Sequence, residues 1–333
     1  MNIIRPVRLE DEEKIVELVA KSGLGIISLP HDPKLLHKKI IDSIEAFKDG
    51  SIGINRKFFF VLENSGRIGG CSAIYAKTGI DEPDDYYEVQ FEHVIDPVTQ
   101  EPNELKMLKR TKPYAGPSML CSLFVAPEFR KGSLGRLLSI SRLMFMARFP
   151  NLFTKTVIAN LRGFVENNRS PFWESVGRHF FNMDYEVFLK MQESDKKTIP
   201  DFIPHTPIYI SLLPPEAQEV IGKSHPNSLP ALKMLEGEGF TCEHFDLYDA
   251  GPIVSTELTN VRTVKQRQTA IVGKIASPEN TAETWILSNS SFDFRACYGH
   301  LDQYAKDLVC IDDTVASSLN INVGDIIHYV SIH

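Results

Sequence analysis

The sequence has no long apolar run and no cluster of basic residues. No window approaches the roughly 20 apolar residues that span a bilayer, and the start lacks the basic and apolar segments of a secretory signal. The net charge of -7 provides no basic field for nucleic acid or for an anionic membrane. We therefore expect a cytoplasmic protein that binds neither nucleic acid nor membrane.

Cysteine is also scarce, and its spacing is uninformative. The five cysteines form no CxxC pair, and no two histidines have the H-x-x-x-H spacing beside a carboxylate that is typical of zinc sites. One of the five, Cys121, lies in an apolar stretch without an evident base, so we do not interpret it as a nucleophile. These patterns predict reduced thiols and no bound metal.

What the sequence does contain is the composition of a globular protein. The apolar share is 43% and the charged share 24%, and 333 residues favour more than one domain. Strand and helix patterns alternate along most of the chain, which predicts an α/β fold with a mixed sheet. We divide it into an α/β domain over 1–200, a second, related α/β domain over 201–262 and a β-rich module over 263–333.

Several local signals predict where elements begin and end. Asp32 and Ser170, each followed by proline, are typical helix N-caps, and Asn64-Ser65-Gly66 between two apolar runs predicts a hairpin turn. The helix after Asp32 should end near Asp49–Gly50. The string SPFWESVGRHFF from Ser170 reads as one helix.

Other stretches are harder to interpret. Residues 184–191, DYEVFLKM, are consistent with a strand, and PIYISLL near 207–213 with another. Between residues 78 and 117 only EVQFEHVI suggests a strand, and the remainder is unassigned.

The apolar strand SMLCSLFV is followed by APEFRKGSLGRLL, a glycine-bearing turn that leads into a long helix. Backbone N–H groups in such a turn converge on an anion, and the helix dipole favours negative charge there. The strand can also offer backbone groups to an extended ligand. A plain strand-to-helix turn remains the alternative. The predicted pyrophosphate site comprises Arg130, Lys131, Gly132, Ser133, Leu134 and Gly135.

This segment resembles the acetyl-CoA-binding segment of GNAT acyltransferases, whose usual form is R/Q-x-x-G-x-G/A. In the present sequence Ser133 stands where the first glycine is expected. The resemblance implies a GNAT-like first domain that binds an acyl-CoA. In such a reaction a backbone N–H near Phe124 or Val125 would stabilise the oxyanion.

A wider set of strings is similar to the arginine N-succinyltransferases. IIRPVRLED, SGLGIISLP, LCSLFVAPEFRKG, RSPFWESVGRHFF, VIGKSHP and FDLYDAGP follow in that family's order over roughly residues 1–260. The resemblance implies succinyl-CoA as donor, L-arginine as acceptor, and a chain that forms a homo-oligomer or pairs with a paralogous subunit. It also implies that Leu123 contacts succinyl-CoA and that His225, in VIGKSHP, is the proton donor.

Chemistry permits the role of His225, because imidazole titrates near neutral pH and can give a proton to a leaving thiolate. A loop histidine that only caps or packs is the alternative. The sequence departs from the family at Asn160, where an acid is expected, and between about Tyr86 and Met119. Two further functions therefore stay open: an acyltransferase for another amine or donor, and a non-catalytic partner subunit.

Overall fold

The computed structural model describes residues 1–48, 56–80, 82–194, 202–203, 205–279 and 283–332. Its helices and strands alternate in the first two thirds, and strands dominate the last third. The helices are α1 (Glu12–Ala20), α2 (Pro33–Ala46), α3 (Leu134–Arg148), α4 (Pro171–Ser175), α5 (Gly177–Phe181), α6 (Tyr185–Ser194), α7 (Pro215–Val220), α8 (Leu229–Gly237), α9 (Arg262–Gln266) and α10 (Asp313–Leu319).

The strands form one continuous mixed sheet. They are β1 (Asn2–Pro6), β2 (Lys57–Asn64), β3 (Arg67–Tyr75), β4 (Tyr86–Ile95), β5 (Pro102–Thr111), β6 (Ser118–Val125), β7 (Thr156–Asn160), β8 (Ile208–Tyr209), β9 (Thr241–Phe245), β10 (Pro252–Glu257), β11 (Gln268–Ile275), β12 (Trp285–Ser288), β13 (Ala296–Gly299), β14 (Leu301–Ala305), β15 (Leu308–Ile311) and β16 (Ile326–Ser331). Their order is β14-β15-β11-β16-β12-β13-β1-β2-β3-β6-β7-β10-β9-β4-β5-β8. The fold is the predicted α/β class with a mixed sheet.

The sheet runs across both predicted domain boundaries. Strand β10 pairs with β7 over five residues, β9 pairs with β4, and β13 pairs with β1. Residues 201–262 and 263–333 therefore contribute strands beside those of residues 1–200. The division at 200 and 262 stays a prediction.

Helices cover both faces of the central strands. On one face α3 is buried along almost its whole length, and on the other α1 and α2 pack over β2, β3 and β6. At the centre of the first core, the Phe145 ring contacts Phe58 and Phe60 at centroid separations of 4.9 and 5.4 Å. Phe294, in the loop between β12 and β13, lies 5.4 Å from the same ring. One core therefore joins the first and last parts of the chain.

The predicted caps and the predicted hairpin turn are confirmed. The Asp32 carboxylate accepts the N–H groups of Lys34 and Leu35, and the Ser170 hydroxyl accepts that of Trp173. Ser65 and Gly66 adopt the positive φ that the turn between β2 and β3 requires. Helix α2 ends at Ala46, and Asp49–Gly50 lie outside the described residues.

Three segments differ from prediction. Residues 185–194 form helix α6 instead of a strand, because Tyr185, Phe188 and Leu189 are buried at helical spacing. The string SPFWESVGRHFF forms two short helices, α4 and α5. They are separated at Val176, next to Gly177, where an added Cβ would lie 2.2 Å from the Trp173 ring.

Of the two other uncertain stretches, PIYISLL forms less regular structure than its pattern indicates, and the stretch after residue 78 forms more. PIYISLL contributes only the two-residue strand β8. The polar stretch after residue 78 contains the β4–β5 hairpin, in which ten residue pairs are in register. Much of this hairpin is solvent-exposed, and so the apolar alternation that would reveal β5 is weak.

Replacing the central phenylalanine should destabilise the fold strongly. We expect Phe145→Ala to lower the free energy of unfolding by about 3–5 kcal/mol, because the cavity would lie among several packed rings. Urea denaturation followed by circular dichroism measures this loss. Phe91→Ala is the control, since the Phe91 side chain is 51% exposed. Equal stability of the two variants would contradict the proposed core.

Candidate active site

The two central strands β6 and β7 diverge. They pair in parallel only at Ser118 with Val157 and Met119 with Ile158. Beyond these residues β6 remains paired with β3 on its other side, up to Val125. The C-terminal half of β6 therefore borders an opening in the sheet instead of a neighbouring strand.

A bulge at Ser122 changes the direction of the side chains in β6. Ser122 has φ 54°, and the pairing with β3 shifts by one residue between Cys71 and Ala73. A one-residue shift exchanges the two faces of a strand. Leu123 and Val125 consequently pack on the α3 side, and Phe124 packs on the side of α1 and α2.

Three polar side chains hold the bulge in place. The Ser28 hydroxyl accepts the Ser122 N–H at 3.0 Å, and the Ser122 hydroxyl donates to the Ser28 carbonyl at 2.9 Å. Lys39 Nζ donates to the Ser28 carbonyl at 2.9 Å, to Tyr75 Oη at 2.9 Å and to Ser122 Oγ at 3.1 Å. We call Ser28, Lys39, Tyr75 and Ser122 the bulge clamp.

Lys39 is a buried cation whose partners are all neutral. Its side chain is satisfied by three oxygens and lies over the rings of Phe59 and Tyr75, 4.9 and 4.8 Å from their centroids. Burial lowers the pKa of Lys39, because the charged ammonium loses water there. The hydrogen bonds and the ring faces offset part of that cost.

A second buried cation lies close to the same strand. The Arg142 guanidinium, on α3, donates to Ser139 Oγ at 3.0 Å and approaches the Cys121 carbonyl at 3.5 Å. Burial lowers the pKa of Arg142 to about 10. Neither Lys39 nor Arg142 forms an ion pair within the described ranges. Their positive field favours negative charge that develops beside β6.

The ladder with β3 determines which N–H groups of β6 face the opening. The Ala126 N–H donates to the Gly69 carbonyl at 2.9 Å. Because hydrogen-bonded pairs alternate along an antiparallel ladder, the Phe124 N–H points toward β3. The same alternation directs the N–H groups of Leu123 and Val125 away from β3, toward the side that β7 has left.

The turn after β6 has the backbone conformation of an anion-binding loop. Gly132 and Ser133 both have left-handed φ, 60° and 58°, and they precede the N-terminus of α3. Within the described part of the chain, the N–H groups of Gly132, Ser133 and Gly135 have no acceptor. Arg130 and Lys131 are exposed beside them, and Arg130 Nε donates to the Val125 carbonyl at 2.9 Å. Leu134 is buried and anchors the helix.

The C-terminal strands support this turn. Tyr298 Oη donates to the Ser133 carbonyl at 2.8 Å, and the Arg136 guanidinium donates to the Ile332 carbonyl. A serine in the left-handed region is strained relative to glycine, and the tyrosine contact constrains it there. Sequence patterns did not indicate any role for Tyr298.

His225 lies next to the end of β7. Its backbone N–H donates to the Arg162 carbonyl at 2.8 Å, and Ser224 forms a bridge with Gly163. Its Nδ1 accepts the Asn227 N–H at 3.1 Å, and so a neutral ring carries its proton on Nε2. Burial, followed by the charge of Arg162, lowers the pKa of His225, which leaves the ring uncharged at neutral pH.

A buried carboxylate organises the backbone behind His225. Asp249 Oδ2 accepts the Gly163 N–H and the Tyr185 hydroxyl, both at 2.8 Å, and Oδ1 accepts the Gly251 N–H at 2.8 Å. This carboxylate joins the end of β7 to the turn before β10. It fixes the segment to which His225 is bonded. The string FDLYDAGP contains Asp249, but no sequence pattern assigned this residue a role.

The predicted site residues come from two places that the fold brings near the sheet opening. Leu123, Phe124 and Val125 lie in β6, and the turn 130–135 follows that strand. His225 is held beside the segment after β7, because its N–H bonds to Arg162 and the preceding residue bridges to Gly163. Sequence patterns missed Lys39, Ser28 and Asp249, because each acts through contacts that are distant in the chain.

With this geometry described, comparison with known proteins becomes informative. Residues 2–263 match the family model described as "Arginine N-succinyltransferase beta subunit", and residues 267–331 match the model of its C-terminal domain. The chain belongs to this family. The arginine N-succinyltransferase subunit beta of Pseudomonas aeruginosa is 33% identical over 97% of this chain and 96% of its own length.

Two further relatives also match over the whole length of the chain. The arginine N-succinyltransferase of Salmonella schwarzengrund is 33% identical and spans 100% of this chain and 98% of its own. A solved structure of arginine/ornithine succinyltransferase subunit AI from Pseudomonas aeruginosa superposes with a TM-score of 0.89 at 29% identity. That match covers 100% of this chain and 99% of the other. The predicted family and an acyltransferase function are therefore confirmed.

Two absences hold within the described residues. None of their helices combines the length and apolar character needed to cross a bilayer. No three His, Cys, Asp or Glu side chains come together there in a way that would bind a metal ion.

Removing the clamp lysine should loosen the bulge. We expect Lys39→Met to lower hydrogen-exchange protection of the amides of residues 121–124, because Ser122 and Ser28 lose a shared donor. Mass-spectrometric exchange on peptides that span β6 measures the effect. Lys38→Met is the matched control, since that neighbouring side chain is exposed and pairs with Asp42 at the surface. Unchanged protection of β6 in Lys39→Met would show that the bulge does not depend on the clamp.

Proposed function

We propose that this chain transfers the succinyl group of succinyl-CoA to the α-amino group of L-arginine. The proposal rests on full-length similarity to proteins named arginine N-succinyltransferase, together with the opening between β6 and β7 that adjoins His225. The family's printed names concern arginine, and one solved relative is named for arginine and ornithine.

The donor would bind along β6 and its following turn. The pantetheine arm can pair with the backbone of Leu123–Val125, whose outward groups have no neighbouring strand. The pyrophosphate would lie at Arg130, Lys131, Gly132, Ser133, Leu134 and Gly135, where free N–H groups meet two basic side chains. With the donor bound in this way, its thioester carbonyl would lie at the opening. The N–H of Leu123 or Val125 would then donate a hydrogen bond to the oxyanion.

The reaction would then be direct transfer. The neutral amine attacks the thioester carbon, the N–C bond forms and the C–S bond breaks. Overall, the amine nitrogen loses one proton and the thiolate gains one. His225 Nε2–H would give its proton to the sulfur as the C–S bond breaks, and Nε2 would take up the proton that the amine releases, so the ring begins and ends neutral.

A related acyltransferase with another amine is the second candidate, and the end of β7 favours it. Asn160, where the family has an acid, donates from Nδ2 to Tyr86 Oη at 3.4 Å. Tyr86 begins the divergent hairpin β4–β5. The acceptor surface therefore differs in chemistry from the family pattern on two adjoining elements.

The assembly state is part of the proposal. The Pseudomonas aeruginosa relatives are named as subunits, beta in one case and AI in the other. We propose that this chain acts as a homo-oligomer or beside a paralogous subunit.

Removing the imidazole should reduce turnover more than binding. We expect His225→Ala to lower kcat by about 10²- to 10⁴-fold, the usual contribution of a positioned acid, with little change in CoA affinity. Thiol release from succinyl-CoA with arginine measures kcat, and calorimetry measures affinity. The panel should include ornithine and other amines, and acetyl-CoA as a second donor.

The control for this variant is His93→Ala, because His93 is exposed on β4. Full turnover in His225→Ala would refute the catalytic assignment. Turnover with another amine, and not with arginine, would favour the second candidate. Absence of acyl-CoA binding by the wild type would indicate a non-catalytic subunit.

Removing one hydroxyl from the turn support should weaken donor binding. We expect Tyr298→Phe to raise the Kd for CoA by about 2- to 10-fold, because Ser133 loses one neutral hydrogen bond. Calorimetric titration with CoA measures this change. Tyr304→Phe is the control, since Tyr304 is exposed on β14. Equal affinities would mean that donor binding does not depend on this hydrogen bond.

A further inference from the structure

Arg162 stands directly behind His225 and follows the last residues of β7. Its backbone carbonyl accepts the His225 N–H at 2.8 Å, and the next residue, Gly163, bridges to Ser224. The charge of Arg162 also contributes to the lowered pKa of His225, which places the guanidinium within electrostatic range of the imidazole. Arg162 therefore belongs to the sheet opening.

The side chain of Arg162 lies against the loop that carries Ser28 of the bulge clamp. A Cβ added at Gly25 would lie 2.6 Å from Nε and 2.9 Å from Cζ of Arg162, and Gly25 has φ 109°. Three residues later, Ser28 binds the bulge at Ser122. The guanidinium thus packs on the backbone between the His225 segment and the loop that holds β6.

Arg162 has no carboxylate partner within the described chain. Its Nε is buried and donates to no acceptor there. Two other largely buried arginines are paired, Arg5 with Asp11 at 2.7 Å and Arg110 with Asp85 at 2.7 Å, whereas Arg142 bonds only to Ser139 and the Cys121 carbonyl. The nearby acid, Asp249, is already occupied by three hydrogen-bond donors.

An unpaired, partly desolvated guanidinium is costly, and its planar fork of donors matches a carboxylate. Both proposed substrates carry one. The succinyl group ends in a carboxylate, and an amino-acid acceptor carries an α-carboxylate beside its reacting amine. The carboxylate of either substrate is an acceptor that suits this guanidinium.

We propose that Arg162 is the carboxylate-binding residue of the transfer site and that it selects a carboxylate-bearing substrate. The inference deepens the proposed function and rests on it for the identity of the substrates. Gly25 is a positioning residue, because its missing side chain makes room for the guanidinium.

The test compares binding of matched ligands to the full-length protein. Succinyl-CoA and butyryl-CoA differ by a carboxylate in place of a methyl group, and arginine and agmatine differ by the α-carboxylate. Calorimetry gives the affinity of each ligand for the wild type and for Arg162→Gln. We expect the variant to lose about 10- to 100-fold in affinity for one carboxylate-bearing ligand and little for its neutral analogue.

Selective loss of succinyl-CoA would place the donor carboxylate on Arg162, and selective loss of arginine would place the acceptor there. An equal change for both members of each pair, or no change, would overturn the proposal. A wild type without turnover would refute the proposed function. The carboxylate preference could still be measured in that case, because the test uses binding affinities.

Two further variants guard against a folding defect. Arg169→Gln removes an exposed arginine of the same loop that pairs with Glu174, and it should keep the wild-type preference. Gly25→Ala leaves Arg162 intact but displaces its side chain, and it should reproduce the selective loss. If Gly25→Ala folds, as thermal unfolding would show, and keeps the full preference, the positioning role is wrong.

Discussion

The hydrogen bonds that hold Ser122 in a left-handed conformation are the constraint on which the site depends. A buried lysine and Ser28 satisfy both the backbone and the hydroxyl of that residue. The resulting bulge reverses the facing of Leu123, Phe124 and Val125 relative to the first half of β6. On the same strand, pairing with β7 ends after Met119, which leaves the β7 side of the remaining residues without a neighbouring strand.

The candidate site is lined by positive groups, although the chain as a whole is negatively charged. The chain has a net charge of -7, yet Lys39, Arg142 and Arg162 place three positive groups around the opening without paired carboxylates in the described residues. Acyl-CoA, the oxyanion and a departing thiolate are all negative or become negative. The local field therefore favours the charges that acyl transfer creates, even though the overall field does not attract anions.

The site is assembled from segments that lie far apart in the chain. The clamp joins the loop before α2 to α2, β3 and β6. The turn follows β6, the histidine follows α7, and Tyr298 lies in β13. Each contact between them depends on the continuous sheet that brings β13, β1, β6, β7 and β10 into one layer. The C-terminal strands therefore contribute to the site as well as to the Phe145 core.

The sequence by itself determined the features that depend only on residues close together in the chain. Asp32 and Ser170 cap helices because side chain and amide are two or three residues apart, and the turn at Ser65–Gly66 needs only its own φ angles. The strand, turn and helix around residues 118–148 were likewise visible, as was the family, through strings that follow in order. The location of the glycine-bearing turn after β6 required no tertiary information.

Tertiary structure decided what depends on distant contacts. Whether DYEVFLKM forms a helix was set by the aromatic core around Trp173, which buries Tyr185 and Phe188 at helical spacing. A lysine in the pattern of α2 resembles any surface lysine until Ser28, Tyr75 and Ser122 are seen around it. In the same way, Arg162 appears ordinary in sequence. Only the tertiary structure shows that burial removes water from its Nε and that no carboxylate of the described residues pairs with the guanidinium.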